Sequence, residues 1–227
     1  MAVIQAHRRG RFISLEGMEG AGKSTNLAFV RSWLGEFLTN QRVALPHDPE
    51  LHTTREPGGT ALAESIRDLL IADRTEPVAA MTEVLLMFAA RAQHVARRIR
   101  PALDAGDWVV SDRFVDASYA YQGGGRGLDW SVVEQLDALV VGDVQPDLTL
   151  FLDLSLEESR RRIATRALDR FEQEGDEFFQ RVRKAYLRRA AQHEQRIVVI
   201  DASQPLDVVQ THIARTLEQA TAVWLDC

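Results

Sequence analysis

Lysine is almost missing from this 227-residue chain: only Lys23 and Lys184 occur, against 25 arginines. The single cysteine, Cys227, is the last residue, so no disulfide can form within the chain and a reducing, cytoplasmic setting is expected. No window approaches the roughly 18 consecutive apolar residues of a membrane span. The basic start at His7-Arg8-Arg9 has no long apolar stretch behind it. Neither a membrane partner nor a signal peptide is therefore expected. Positive charge is not in excess either: the net charge is -6 and the pI about 5.6, which argues against a nucleic-acid polymer as partner. The six histidines are scattered without metal-ligand spacing. What remains, 45% hydrophobic and 26% charged residues over 227 positions, suits one soluble α/β domain with a full core.

In so lysine-poor a chain, the surroundings of Lys23 carry weight. Gly17-Met18-Glu19-Gly20-Ala21-Gly22-Lys23-Ser24-Thr25 satisfies G-x-x-x-x-G-K-[ST], the phosphate-cradling P-loop. Before it, Arg11 to Glu16 reads as a buried strand. After it, Asn26 to Leu38 reads as a helix with Leu27, Val30, Leu34 and Phe37/Leu38 on one face. Phosphate binding requires that order. Glycines let the backbone curl until its N–H groups point at phosphate oxygens, and the helix N-terminus adds partial positive charge. Lys23 then bridges β- and γ-phosphates, and the Ser24 hydroxyl holds Mg²⁺.

Residues 1–10 read as a short, poorly ordered arm. A second strand is expected around Val43-Ala44-Leu45, followed by an irregular insertion over 46–53 at Pro46 and Pro49, then a tight turn at Arg55-Glu56-Pro57-Gly58-Gly59. Thr60 to Ala72 reads as a helix. A long helix opens at Pro77 and runs to about Ala105, kinked near Pro101. Trp108 to Ser111 is the third strand, ending at Asp112-Arg113, and Gly123-Gly124-Gly125 reads as a flexible breaker. Ser131-x-x-Glu134 and Ser155-x-x-Glu158 read as capping boxes. Leu148 to Leu152 is a strand ending at Asp153, Arg196 to Ile200 is the last strand, and Pro205 to Ala222 is the closing helix.

Five strands alternating with helices predict a parallel sheet covered on both faces. Ligands of such sheets sit at the carboxyl ends of the strands. The P-loop, Arg55, Asp112-Arg113 and Asp153 all follow strand candidates, so they are expected to converge on one edge of the sheet. A guanine-nucleotide switch is excluded on composition. Asparagine occurs only at 26 and 40, so no Asn-Lys-x-Asp motif exists.

Together, Gly17–Thr25, Thr54-Arg55-Glu56-Pro57-Gly58-Gly59-Thr60, Asp112-Arg113-Phe114 and Ala120-Tyr121-Gln122-Gly123-Gly124-Gly125-Arg126-Gly127 resemble the bacterial thymidylate kinases, from about residue 11 to 216. The resemblance implies a P-loop kinase fold with a five-stranded parallel sheet and an arginine-rich lid at about 154–176. It also implies a homodimer and transfer of the γ-phosphate of Mg-ATP to dTMP, giving dTDP and ADP. Two alternatives stay open: a kinase for another nucleoside monophosphate, and a non-catalytic nucleotide-binding regulatory protein. A monophosphate acceptor, whose second pKa is near 6, is already largely dianionic. The reaction then needs charge neutralisation and in-line positioning rather than a general base.

By the same resemblance, Arg55 grips the dTMP phosphate, and Arg113 bridges donor and acceptor with Asp112 orienting it or holding metal-bound water. The plainer readings are a surface arginine and a strand-end ion pair. Arg91 reaches the thymine while Phe88 covers the ring, unless Phe88 is a core residue. Tyr121 excludes a 2′-hydroxyl, and Ser118 and Gln122 read the base edge, unless each is an ordinary helix-face residue. Glu19 contacts the acceptor nucleotide, so compensating charge is expected from the lid, where Arg166 and Arg170 are the candidates among otherwise solvated arginines. Asp153 ends its strand in the manner of a Walker-B acid and is a candidate metal ligand.

Overall fold

The computed structural model describes residues 9–41, 48–72, 75–164, 171 and 173–226. The strands are β1 (Phe12–Gly17), β2 (Leu51–Arg55), β3 (Trp108–Asp112), β4 (Leu148–Asp153) and β5 (Ile197–Asp201). They form one sheet in the order β2-β3-β1-β4-β5, and every pairing is parallel. Parallel pairing needs crossovers, which place helices on both faces and bury the central strands completely. Accordingly, all six residues of β1 are buried.

Alternation along β1 divides the core. Ile13 and Leu15 face α1 (Lys23–Asn40) and α9 (Leu206–Asp226), packing among Val30, Leu34, Val209, Ile213 and Leu217. Phe12 points to the other face. There it meets Val84 and Phe88 of α3 (Ala80–His94) and Val133 of α6 (Trp130–Val140). Further along that face, Phe151 and Ile197 pack with Phe179, Val182 and Tyr186 of α8 (Asp176–Gln192). The sheet is therefore a rigid floor whose carboxyl edge carries Gly17, Arg55, Asp112 and Asp153.

Several expectations change. The second strand is Leu51–Arg55, which begins inside the stretch over 46–53 that reads in sequence as an irregular insertion and runs past it, while 43–45 lies outside the described residues. Parallel pairing with β3, in the register Leu51↔Trp108 to Arg55↔Asp112, organises a polar stretch that has weak strand propensity of its own. Gly10 is not part of a loose arm: it is buried, and its N–H donates to the Leu103 carbonyl at 2.8 Å.

The long helix starts at Ala80, passes through a π-helical turn at Val95–Ile99 and ends as α4 (Arg100–Asp104). Pro101 explains the wide turn. Its ring has no N–H and crowds the carbonyl four residues back, and a π turn opens that space. The next short helix, α5 (Val115–Ser118), runs into a second π-helical segment, Tyr119–Gly125. Gly123–Gly125 belong to it and are no flexible breaker. A Cβ on Gly124 would lie 2.5 Å from the Ala185 Cβ, and one on Gly125 would strike the Phe178 ring. These glycines serve close approach of α8. Helix α6 is capped by Asp129, which accepts from the Ser131 N–H at 2.9 Å, rather than by Ser131. Ser155 does cap α7 (Leu156–Ile163), accepting from the Glu158 N–H.

Candidate active site

A cavity of about 690 Å³ opens at the carboxyl edge of the sheet. Its phosphate end is the turn between β1 and α1. The helix begins at Lys23, three residues earlier than its apolar pattern suggests, so the first-turn N–H groups of Lys23, Ser24 and Thr25 belong to the loop itself. Gly22 caps that helix with φ 84, a left-handed conformation that a side chain would strain. Glu19, Gly20, Gly22, Lys23, Ser24 and Thr25 line the cavity. Gly17, Met18 and Ala21 do not: Met18 and Ala21 are buried in the core, and the Gly17 and Met18 carbonyls accept from Lys23 Nζ at 3.0 and 3.1 Å. From behind, Ser159 of α7 donates to the Glu19 carbonyl at 2.7 Å.

Two partly buried cations, Lys23 and Arg113, meet here. Burial and the nearby Arg113 charge push the Lys23 ammonium down to about 8, although Glu19 and Asp112 oppose the shift. Arg113 donates to the Gly17 carbonyl and to Tyr121 Oη, both at 3.0 Å, and to Glu19 Oε1 at 2.5 Å. Its φ of 66 is unusual for a non-glycine residue and aims the side chain across the loop. Burial alone would raise the Glu19 carboxyl, but Arg113 and Lys23 outweigh it and hold it below the usual carboxylate range. Tyr121 Oη lies 2.9 Å from both Glu19 carboxylate oxygens. Such an anion amid cations takes the place that phosphate charge would occupy nearby.

Asp112 also lines the cavity, and its Oδ1 is buried without a hydrogen-bond partner among the described residues. A carboxylate with an unpaired oxygen, on a residue that lines the same cavity as Ser24, suits a cation or its bound water. Asp153 does not. It lies outside the cavity lining, and both its oxygens accept from Arg183 of α8, at 2.7 and 2.8 Å. In this structure the strand-end acid at 153 is the ion-pair partner of Arg183. Arg55 lines the cavity at the end of β2, held by Glu64 of α2 (Ala61–Ile71) at 2.8 Å. Arg166 and Arg170 lie outside the described residues. Arg162, read in sequence as a solvated arginine, lines the cavity instead and donates to the Gly20 and Ala202 carbonyls.

The far end of the cavity is less charged. Arg91, 3% exposed, donates through Nε to Glu56 Oε2 at 2.7 Å, through Nη1 to Ser118 Oγ at 3.0 Å and through Nη2 to the Phe114 carbonyl at 3.2 Å. Glu56 is fixed in turn by His94 Nδ1 at 2.9 Å, and His94 Nε2 lies 2.7 Å from Thr54 Oγ1. Arg91, Ser118, Tyr121 and Gln122 all line the cavity. Phe88 does not. Its ring lies under the Arg91 guanidinium, 4.6 Å from centroid to carbon, on the core side, and Met87 takes the place at the cavity wall. Residues 83, 87 and 91 share one face of α3 at a four-residue spacing, which puts Met87 and Arg91 on the cavity. Glu56 and Phe114 stand inside motifs read in sequence but carry no role there, and Glu83 lies outside every motif. For Glu83 that shared face was the available signal.

A central P-loop, cations gathered at the carboxyl edge of a parallel sheet, and a second, less charged compartment beside them define a P-loop nucleotide phosphotransferase. The family model described as thymidylate kinase matches residues 15–213. A thymidylate kinase of Alcanivorax borkumensis is 52% identical over 214 residues, covering 94% of this chain and 98% of that protein. One of Pseudomonas entomophila is 55% identical over 205 residues, covering 90% and 93%. The crystal structure of thymidylate kinase from Ehrlichia chaffeensis superposes with a TM-score of 0.71 at 31% identity, covering 92% of this chain and 99% of that one. The chain belongs to the thymidylate kinase family.

Proposed function

We propose that this enzyme transfers the γ-phosphate of Mg-ATP to dTMP, giving ADP and dTDP, with ATP at the P-loop and dTMP in the compartment of Arg55, Arg91 and Tyr121. The observation that carries the reading is Arg113, which touches the P-loop at Gly17 and the acceptor side at Glu19 and Tyr121. A cation in that place can neutralise charge on donor and acceptor at once. The dTMP phosphate needs no base to become nucleophilic. The work left to the protein is alignment and charge stabilisation, which Lys23, Arg113 and Arg55 supply. Magnesium bound with ATP would draw on Ser24 and Asp112, and it supplies neutralisation of phosphate charge. Packed against Glu19 and the Phe178 and Tyr186 rings, Tyr121 leaves no room to yield to a 2′-hydroxyl.

Chain 1–227 is read as one kinase domain, with 154–176 as its lid. Within that span α7 is a regular helix fastened to the P-loop by Ser159, and Arg166 and Arg170, which lie outside the described residues, are read as the lid arginines that add positive charge at the γ-phosphate. Exposed Leu62, Leu69, Met81 and Leu85 on the packed pair α2 and α3 support a homodimer through that face. Light scattering of the purified chain is expected to give a species of twice its mass. A cytoplasmic location follows from the same reading, because both nucleotides are drawn from the cell's internal pool.

The test is ADP release with Mg-ATP across dTMP, dUMP, UMP, CMP, AMP and GMP. Strong turnover with dTMP and little with UMP is expected. Turnover led by a different monophosphate would overturn the substrate, and none with any of them would overturn the activity.

A further inference from the structure

Glu83 is a carboxylate with no exposed surface, on a helix whose other buried residues are Val84, Phe88, Ala90, Arg91 and His94. The phosphate chemistry does not use it. Its Oε1 accepts from Gln122 Nε2 at 3.0 Å and from Arg126 Nε at 3.1 Å, its Oε2 accepts from Arg126 Nε at 3.2 Å, and Arg126 Nη2 lies 3.1 Å from Oε2 as an ion pair. Arg126 is itself held on its far side by Glu174 and by the Phe178 ring.

An ionised carboxylate has no hydrogen to give. The Gln122 side chain can therefore face Glu83 only with its NH₂ group, and a flipped amide would set oxygen against oxygen. The amide oxygen is left as the other polar end of a residue that lines the cavity. It makes no hydrogen bond to a described residue and retains access to the cavity. Across the pocket the guanidinium of Arg91 can only donate, and its orientation is fixed by Glu56, Ser118 and the Phe114 carbonyl. The base end thus presents a donor beside an acceptor. Thymine and uracil present the complement along one edge, a carbonyl oxygen beside an N–H. Cytosine presents the reverse, an NH₂ group beside a bare ring nitrogen.

We propose that Glu83 is a positioning residue that sets the hydrogen-bond polarity of the base pocket: by locking the Gln122 amide it makes the pocket accept a ring N–H and reject cytosine. The proposal deepens, and rests on, the reading of this compartment as the dTMP site. Arg126 keeps Glu83 an acceptor, so the lock is charge-backed rather than a neutral contact that either amide orientation would satisfy.

The test is Glu83→Gln, assayed with Mg-ATP on dTMP, dUMP and dCMP beside the unaltered enzyme. In the variant, Arg126 claims the new amide's oxygen, which turns the new NH₂ group toward Gln122 and reverses the Gln122 amide. The kcat/KM ratio of dTMP to dCMP is expected to fall by about tenfold or more, and dUMP should lose in parallel with dTMP. A merely structural Glu83 would lower all three substrates alike, and an unchanged ratio overturns the proposal. A second measurement does not depend on the variant folding: hydrogen exchange of the Gln122 side-chain amide in the unaltered enzyme, its NMR signal assigned by its loss in Gln122→Met. Protection in both the free and the dTMP-bound protein is expected. Free exchange without nucleotide would overturn the lock. If the unaltered enzyme fails to turn over dTMP, the reading of the site fails, and that outcome is distinct from an unchanged ratio.

Discussion

The two ends of the cavity recognise by different physics. At the phosphate end, Lys23 and the loop's backbone N–H groups sit within a few residues of one another in the chain, Arg113 joins them from the end of β3, and charge does the selecting. At the base end, Arg91, Ser118 and Gln122 come from two helical segments, and what matters is which of their atoms donate and which accept. Charge at the first end must be present to stabilise a transition state. Polarity at the second must be oriented, and buried carboxylates do that at a distance. Glu56 holds Arg91, and Glu83 holds Gln122. A site can therefore place its acids away from the chemistry and still depend on them.

The contrast breaks most visibly at Lys23. Lys23→Ala removes a phosphate cation whose contribution is greatest in the transition state. Steady-state kinetics should show kcat lower by about a thousandfold, with KM for dTMP altered far less. Ser118→Ala probes the other end. It takes away one fixed partner of Arg91 and one polar group at the base, so KM for dTMP should rise by about fivefold while kcat stays within about twofold. A large kcat loss there would mean that the two ends are not separable.

A smaller effect sharpens the comparison through Glu16, a buried carboxyl beneath the P-loop. It accepts from the Phe114 N–H at 2.7 Å and from Tyr186 Oη at 2.8 Å. Burial, helped by the Asp116 charge, pushes it up to about 8 from 4.5, although Arg113 pulls the other way. Raised in the fold, it contributes stability that is fully present below pH 4.5 and lost as pH rises through about 8. Glu16→Gln should melt at a temperature that gains on the parent steadily across that window. A difference independent of pH would refute it.

The same contrast explains what the sequence made legible. Phosphate binding needs consecutive N–H groups and a lysine at fixed spacing, so Gly17–Thr25 and Asp112-Arg113 announce themselves locally. Short, nearly continuous apolar runs marked four of the five strands. The edge strand β2 was hidden because His52, Thr53 and Thr54 resemble a loop, and only pairing with β3 makes them a strand. At the base end the deciding information is three-dimensional. Whether Met87 or Phe88 meets the cavity turns on a 100° rotation along α3, and the chain puts the larger ring beneath Arg91. Glu56 and Glu83 are composed like surface residues, and packing alone makes them interior. Glycines 123–125 read as freedom because glycine usually confers it. Here Gly124 and Gly125 permit contact with α8, and Gly123 lies against Trp130 of α6.

Lysine scarcity has a practical consequence at this site. An amine-directed reagent meets only two lysine side chains in the whole protein, one exposed on α8 and the other inside the nucleotide cavity. Held near 8, the Lys23 amine is substantially unprotonated in mildly alkaline buffer, where an ordinary lysine is not. Its modification by a small acylating reagent, read at Lys23 itself by peptide mapping and so apart from the α-amino group and Lys184, thus becomes a reporter of cavity occupancy, one that falls silent when phosphate anions restore its proton.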